Sequence, residues 1–374
     1  MIKRLKSYAG PGIVPALSIL LALVVASVLI IASGLIGEEK KLDLVLPLVA
    51  YRSLLVGAFG NFKGIANMIV AATPLMLTGL AVGVGLKAGL FNIGATGQVL
   101  MGGFAAALVG VLVADAPPLI AIPVAMLGGM LAGALAGFIP GFLKAYTGAH
   151  EVVTTIMLNA LVQLIVSGLV NDVFRIPGFS FARTGQVGNA ELTGLGNTTL
   201  HLGVIFALVC IPISYWLLWR TTVGFEIRTV GANPTAALYA GMKPRRMMML
   251  TMSLCGAFAG LAGAVEILRL GYYPAVFGTS IGFDGITVAL LGQSNPVGIL
   301  LSALLLGAMR AGAPLMQIQA RVPVEIIDVI QGVILIFLAA EIVVRRIFRL
   351  RTEGVGAGEL QTITRTYGEK VVGG

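Results

Sequence analysis

Few residue patterns in this sequence could support catalysis or metal binding. The pair His150–Glu151 begins like a zinc-protease motif, but Thr154 occupies the position where the second histidine would have to be. The chain has only two histidines, so a histidine-based metal site is not expected. The two cysteines, Cys210 and Cys255, match no metal-ligand spacing, and no Gly-Lys pair exists to form a phosphate-binding loop. We therefore predict a chain that is not an enzyme and that binds no metal or cofactor itself.

A different kind of site is indicated by polar residues placed within or beside long apolar stretches. An unpaired polar group is costly inside a membrane, so each such residue must contact a partner, another helix or a watery path. Most of these residues lie in or near two glycine-broken segments, residues 89–98 and 278–285. This grouping favours a translocation pathway over simple hydrogen bonding between helices. The predicted pathway residues are Asn92, Gln98, Asn159, Asp284, Gln293 and Ser294.

The composition indicates that the helices carrying these residues lie in a membrane. Of the 374 residues, 57% are hydrophobic and only 11% are charged, whereas soluble domains have about 25% charged residues. The net charge is +9, but the basic residues cluster at the ends of apolar segments, which is typical of cytoplasmic loops rather than of a nucleic-acid-binding face. We predict an all-α integral membrane protein with one transmembrane domain over residues 1–374: a bundle over about 13–344 and a cytoplasmic tail over 345–374.

Ten apolar stretches are candidates for transmembrane helices, each of which needs about 20 apolar residues. The first exceeds the length of a signal-peptide core and lacks a cleavage site, so it counts as a span. Ten spans put both termini on one side, and the basic residues near both termini place that side in the cytoplasm, with the bundle in the cytoplasmic membrane. The predicted spans are residues 13–36, 65–86, 90–113, 118–143, 152–171, 200–219, 247–268, 279–293, 296–313 and 325–344.

Glycines are spaced for close packing between helices. A small-xxx-small stripe, which lets helix backbones approach closely, occupies the fourth span at Gly129, Gly133, Gly137 and Gly141. The two glycine-broken segments each follow a glycine-rich span, and these two spans are predicted to cross the membrane in opposite directions. This arrangement predicts two inverted repeats with the transport pathway at their interface.

The polar segment between residues 220 and 246 contains the clearest local helix signal. Asn233 is a good N-cap, Pro234 suits the first helical position and Gly241 suits the end of a helix. We predict a short helix from Pro234 to about Tyr239 on the cytoplasmic side. Capped at both ends and placed outside the membrane, it is expected to dock another protein.

Two patterns resemble the permease subunits of ABC importers for nucleosides, simple sugars and branched-chain amino acids. One is Gly-x-x-x-Arg-x-x-Gly-x-Asn-x-x-Ala-Ala-x-x-x-Gly over residues 224–241, and the other is Gly-Leu-Phe-Asn-Ile-Gly-x-x-Gly-Gln over residues 89–98. The resemblance covers roughly residues 45–345. It implies that residues 226–241 form a coupling-helix region that sits in a cleft of the ATPase subunit. The residues assigned to this region are Glu226, Arg228, Gly231, Asn233, Ala236, Ala237 and Gly241.

Within that family the chain looks most like the nucleoside-type permeases, through residues 74–80, 89–98 and 150–159. Thr96 stands where the family often has glutamate. The resemblance implies an ATP-driven importer of nucleosides. It also implies four partners: membrane lipid, a second permease subunit, an external substrate-binding lipoprotein and an ABC subunit that binds ATP and Mg. No nucleic-acid partner is expected.

Three alternatives stay open from the sequence. The first is a simple-sugar ABC permease of the ribose type. The second is a secondary transporter coupled to protons or sodium, which would need an essential buried carboxylate such as Asp284 or Glu266. Glu266 is three residues before Arg269, however, so a structural pair on one helix face is expected there. The third is a structural or assembly protein.

Overall fold

The computed structural model of the chain is built from helices. It describes residues 13–36, 43–196, 198–277, 280–340, 344, 347 and 348, and side chains are not described for 33–36. Within this part of the chain there is no β-strand, only one isolated bridge between Arg183 and Pro274, so the all-α prediction is confirmed. The α-helices of the described residues are α1 Ile13–Ile36, α2 Leu46–Phe59, α3 Phe62–Lys87, α4 Ala95–Leu112, α5 Pro118–Thr147, α6 Glu151–Asp172, α7 Leu202–Arg220, α8 Thr222–Ala232, α9 Pro234–Tyr239, α10 Pro244–Leu270, α11 Ile281–Leu291, α12 Pro296–Ala320 and α13 Ile326–Ala339.

Some predictions fall on residues outside the described ranges. They include the predicted cytoplasmic tail, residues 345–374, apart from 347 and 348. They also include the basic residues at the extreme N-terminus, and Gly278 and Thr279 of the second glycine-broken segment.

Eight of the described helices are long and apolar enough to cross a membrane, and they match eight of the ten predicted spans. The other two predicted spans, 279–293 and 325–344, form the shorter helices α11 and α13, of 11 and 14 residues. At 1.5 Å per residue α11 rises only about 16 Å, roughly half of a bilayer core of about 30 Å. The segment 279–293 is therefore not a full span, and a turn with positive φ at Gln293 and Ser294 follows the short helix.

Local sequence explains where several helices begin and end. The side chains of Asn61 and Asn295 accept hydrogen bonds from backbone N–H groups at the first turns of α3 and α12, at 2.7 and 3.0 Å. These bonds satisfy donors that a helix N-terminus leaves without a partner. Gly148 and Gly271 end α5 and α10 in the left-handed conformation, with φ of +69° and +82°.

The bundle has two ends. At one end α3 begins close to the loop residues 173–196 and 198–201, where the Thr199 hydroxyl donates to the Asn67 side chain at 2.8 Å. At the other end α3 finishes against α8, with the Lys87 carbonyl in contact with Gly231. We call these the loop end and the α9 end.

Helices α3 and α10 cross the bundle in opposite directions. Helix α10 follows α9 directly and finishes at the loop end, where the Leu192 N–H donates to the Leu268 carbonyl at 2.9 Å. Helix α3 is the most deeply buried of the eight long helices and packs against α7, α10, α11 and α12. The opposite directions are what inverted repeats require, and the repeat relation itself stays a prediction.

The predicted glycine stripe brings two helix backbones into close contact in the described bundle. Gly133 of α5 faces α10, and a Cβ added to it would lie 2.6 Å from the Gly260 Cα. On α4, Gly102 packs against the same Gly260 backbone. Three helices thus meet through glycines, which confirms the packing role predicted for residues 129–141.

This packing gives a stability prediction. We expect Gly133→Val to lower the stability of the detergent-solubilised protein by about 1–3 kcal/mol or more, because the new side chain overlaps backbone atoms that cannot move independently. Gly168→Val in α6 is the matched control, since a Cβ there has nothing within 4 Å. The measurement is the midpoint of heat-induced loss of monodisperse protein. Equal midpoints for the two variants would contradict the packing account.

Candidate functional site

The predicted docking helix is present with the predicted bounds. The Asn233 side chain accepts a hydrogen bond from the Ala236 N–H at 3.0 Å, and Pro234 takes the first helical position. At the other end Gly241 has φ of +82°, and the N–H groups of Gly241 and Met242 donate back into the last turn, both at 3.0 Å. This is the usual glycine-terminated helix end, so both predicted caps of α9 are confirmed.

Helix α8 precedes α9 and was not predicted. Thr221 starts it by accepting a hydrogen bond from the Gly224 N–H at 3.0 Å. The guanidinium carbon of Arg228 lies 5.8 Å from the centre of the Trp219 ring, a cation–π distance that ties α8 to α7. Glu226 lies half-buried on α8. The structure therefore carries the seven predicted coupling residues on one continuous α8–α9 segment.

The outer face of this segment is apolar and exposed. Tyr239, Leu238 and Phe225 are 88%, 60% and 55% exposed, whereas Ala237 beside them is fully buried. Large apolar side chains held outward on a capped helix are typical of a protein-binding surface. The geometry thus suits the docking role predicted for α9.

A backbone contact links this surface to the first glycine-broken segment. Gly231, at the end of α8, packs against the chain just after α3, and a Cβ on it would lie 2.7 Å from the Ala88 carbonyl carbon. Gly89 faces Gly231 from the other side, with φ of +69° and an added Cβ 3.1 Å from the Gly231 oxygen. Because both glycines allow backbone-to-backbone contact, α8 lies directly against the turn between α3 and α4.

Three of the predicted pathway residues lie together just beyond that turn. Asn92 and Gln98 are fully buried and exchange two side-chain hydrogen bonds, at 2.9 and 3.1 Å. Asn159 of α6 accepts from the Gly97 N–H at 2.8 Å and donates to the Ile93 carbonyl at 3.0 Å. These bonds hold the start of α4 to α6, and the pathway role of the three residues stays a prediction.

The Asn92–Gln98 pair supplies a test that separates a structural role from a pathway role. We expect Asn92→Ala to destabilise the protein by about 1–3 kcal/mol, because it leaves the buried Gln98 amide without its partner. The double variant Asn92→Ala/Gln98→Leu removes both polar groups and is expected to recover most of that loss. Thermal midpoints measure stability, and substrate uptake by the double variant measures transport. Full uptake by a stable double variant would contradict the pathway role of the pair.

Asp284 of α11 is held by an arginine that was not among the predicted site residues. Arg310 of α12 forms an ion pair with the Asp284 carboxylate, and the Ser280 hydroxyl also donates to that carboxylate, at 2.8 Å. Arg310 Nη2 lies 3.2 Å from the same hydroxyl. An arginine inside an apolar span is costly unless it is paired. This is the sequence signal that could have identified Arg310.

The remaining predicted pathway residues, Gln293 and Ser294, form the turn between α11 and α12. Both have φ of +53°, an uncommon backbone conformation for residues other than glycine. Ser294 is buried against α3, where a Cβ on Gly83 would lie 3.6 Å from the Ser294 Cα. Local strain of this kind concentrates at functional sites.

The two glycine-broken segments meet inside the bundle. Gly282, in the first turn of α11, packs so tightly against the start of α4 that a Cβ on it would lie 2.5 Å from the Thr96 Cα. The structure therefore brings the start of α4, with Asn92, Gln98 and Asn159, next to the start of the half-length helix α11. Asp284 lies in the same first turn of α11, and the turn at residues 293 and 294 lies beyond the far end of the helix.

Comparison with known proteins identifies the family. The family described as the permease component of the branched-chain amino acid transport system matches residues 64–339. The chain belongs to this permease family. The permease is 37% identical to the guanosine ABC transporter permease protein NupP of Bacillus subtilis (strain 168), over 95% of this chain and 99% of the relative.

Two further relatives cover most of the permease. The nucleoside ABC transporter permease protein NupB of Lactococcus lactis subsp. cremoris (strain MG1363) is 34% identical over 87% of this chain and 91% of the relative. The glucose ABC transporter permease protein TsgB13 of Haloferax volcanii (strain ATCC 29605) is 32% identical over 87% of this chain and 86% of the relative. No solved structure matches the permease.

Proposed function

We propose that this permease is the membrane-spanning subunit of an ATP-driven importer that moves nucleosides across the cytoplasmic membrane. The observation that carries the proposal is the identity of 37% over nearly the whole length of a guanosine permease. The exposed, doubly capped helix α9 supports it, because an ATP-driven permease without its own nucleotide site needs a surface for an ATPase. The chain makes and breaks no covalent bond itself.

The proposal includes partners and orientation. The α9 end faces the cytoplasm and binds the ATP-binding subunit, which holds ATP and Mg. A second permease subunit completes the transmembrane path, and a substrate-binding lipoprotein delivers the nucleoside at the loop end. Basic side chains near the α9 end support this orientation through the positive-inside rule; among the described residues they are Lys87, Lys144, Arg220, Arg228, Lys243, Arg245 and Arg246.

The contacts suggest how ATP binding reaches the pathway. Closure of the ATPase pair moves α9 together with α8. The contact of Gly231 with Lys87 and Ala88 passes that movement to the turn after α3. The turn carries the start of α4, which packs on α11, so the two glycine-broken segments shift against one another. Alternating access then follows from two discrete packings of the same helices.

Coupling to protons or sodium is less well supported. Such a transporter needs a carboxylate that can bind and release a cation. Both candidates are already paired: Asp284 with Arg310, and Glu266 with Arg269, whose guanidinium lies 2.7 Å from the Glu266 carboxylate. The Glu266–Arg269 pair was predicted and is confirmed.

Uptake of radiolabelled guanosine, adenosine, uridine, ribose and glucose tests the proposal in cells with and without the gene for this permease. We expect deletion to remove nucleoside uptake and to leave sugar uptake unchanged. Loss of ribose or glucose uptake alone would favour a sugar permease, the alternative supported by the glucose-transporting relative. Unchanged uptake of all five solutes would refute a transport role for them.

A further inference from the structure

A cavity of about 720 Å³ opens among α3, α10, α12 and the chain at the loop end. Small-molecule sites occupy roughly 300–1,000 Å³, so the space suits a solute of nucleoside size. None of the six predicted pathway residues lines it. The Asn92–Gln98 pair, nearer the α9 end, is therefore not part of this cavity.

The walls of the cavity divide into apolar and polar surfaces. Ala71 and Pro74 of α3 and Pro314 of α12 contribute apolar surface. Polar groups come from Asn67 and from the loop segment around Thr199, which bond to each other at the rim. An apolar wall combined with a few hydrogen-bonding groups fits a solute that has both an aromatic base and sugar hydroxyls.

The charged groups at the cavity carry no excess of positive charge. Two acids, Glu191 and Glu266, and two bases, Arg269 and Arg310, line the cavity. Arg269 is paired with Glu266, and Arg310 is paired with Asp284 behind the wall. A phosphate group needs cations that are not already neutralised. The lining therefore favours a neutral solute over a phosphorylated one.

Arg310 is the group best placed to contact a solute in the cavity. It borders this cavity and a second one of about 570 Å³, which extends towards Asp328 on α13. Its described bonds to Asp284 and Ser280 all use Nη2, and its side chain is 24% exposed. Within the described part of the chain, Nη1 and Nε thus keep donors for a ligand, while the ion pair fixes their direction.

We propose that this cavity is the nucleoside-binding site of the permease on the loop side, with Arg310 as the orienting hydrogen-bond donor and the Ala71–Pro74 surface against the base. The inference rests on the proposed function. It adds to that function a binding site made of residues outside the predicted pathway set. It also restricts the ligand to nucleosides without a phosphate group.

A cavity-filling variant tests the proposal in proteoliposomes that contain the complete transporter. We expect Ala71→Phe to lower adenosine uptake about tenfold or more, because the ring occupies the space for the base. Ala160→Phe, at an exposed position of α6 away from the cavity, is the matched control and is expected to keep near-normal uptake. Normal uptake by correctly inserted Ala71→Phe would overturn the site. No nucleoside uptake by the unmodified transporter would instead overturn the proposed function.

A second measurement does not depend on how the Phe variant folds. Asn67→Cys is made in a chain with Cys210→Ser, which leaves Cys255 as a buried thiol, and the rate of maleimide labelling is measured with and without ligand. We expect saturating adenosine to slow the labelling about threefold or more, and adenosine monophosphate to leave it unchanged. An unchanged rate with adenosine would overturn the site, and equal protection by the monophosphate would overturn the charge argument.

Discussion

Replacing Gly231 by Val is expected to abolish transport while leaving the bundle inserted. A Cβ at this position overlaps the Lys87 carbonyl and lies 2.7 Å from the Ala88 carbonyl carbon, so α8 must move away from the turn after α3. Misplacement of a functional element by about 1 Å is enough for a loss of about a hundredfold. We therefore expect ATP-dependent nucleoside uptake to fall by about that factor. Reconstituted proteoliposomes provide the measurement.

The ATPase activity of the same complex separates loss of coupling from loss of assembly. We expect the Gly231→Val complex to hydrolyse ATP without transport, because α9 and its exposed face remain intact. Gly168→Val, with open space around the new side chain, serves as the control and should transport normally. Normal uptake by Gly231→Val would show that the contact between α8 and the turn after α3 does not transmit the movement.

Removing the carboxylate of Asp284 is expected to lower both the stability of the protein and nucleoside uptake. Asp284→Ala leaves Arg310 without its counter-ion in a largely buried setting. Breaking a buried pair costs about 3–5 kcal/mol, and the partial exposure of Arg310 places this case at or below the lower end of that range. We expect a lower thermal midpoint and nucleoside uptake reduced about tenfold or more.

Two companion variants make this prediction specific. Glu266→Ala removes the acid of the Glu266–Arg269 pair, whose arginine is 43% exposed, and should cost only about 0–1 kcal/mol. Asp284→Ala/Arg310→Met removes both charges of the first pair and should recover most of the stability but not the uptake. Full uptake by this double variant would mean that the pair stabilises the fold without touching the substrate.

The features that could be predicted from the sequence are those specified by residues close together in the chain. Helix α9 was predictable because Asn233, Pro234 and Gly241 specify its two ends within nine residues. The glycine stripe on α5 was predictable because its spacing matches one helix face. The all-α membrane class followed from composition and from the length of the apolar runs.

The features that the sequence did not reveal depend on tertiary contacts or on turns without a local signature. The turn after α11 is one example, because Gln293 and Ser294 adopt positive φ and neither residue type predicts that conformation. Arg310 was not predicted because a single charge hardly changes the mean hydropathy of a 25-residue helix. The packing of Gly231 on Ala88 joins segments more than 140 residues apart in the chain, so no spacing rule could have indicated it.

The assignment as an ATP-driven nucleoside permease is tested by nucleoside uptake in proteoliposomes that contain this permease, its second permease subunit, the ATPase subunit and the substrate-binding lipoprotein. We expect labelled guanosine or adenosine to accumulate only when MgATP is present on the α9 side, and to be lost with Gly231→Val. Accumulation without ATP, driven by a proton or sodium gradient, would contradict the assignment as an ATP-driven permease.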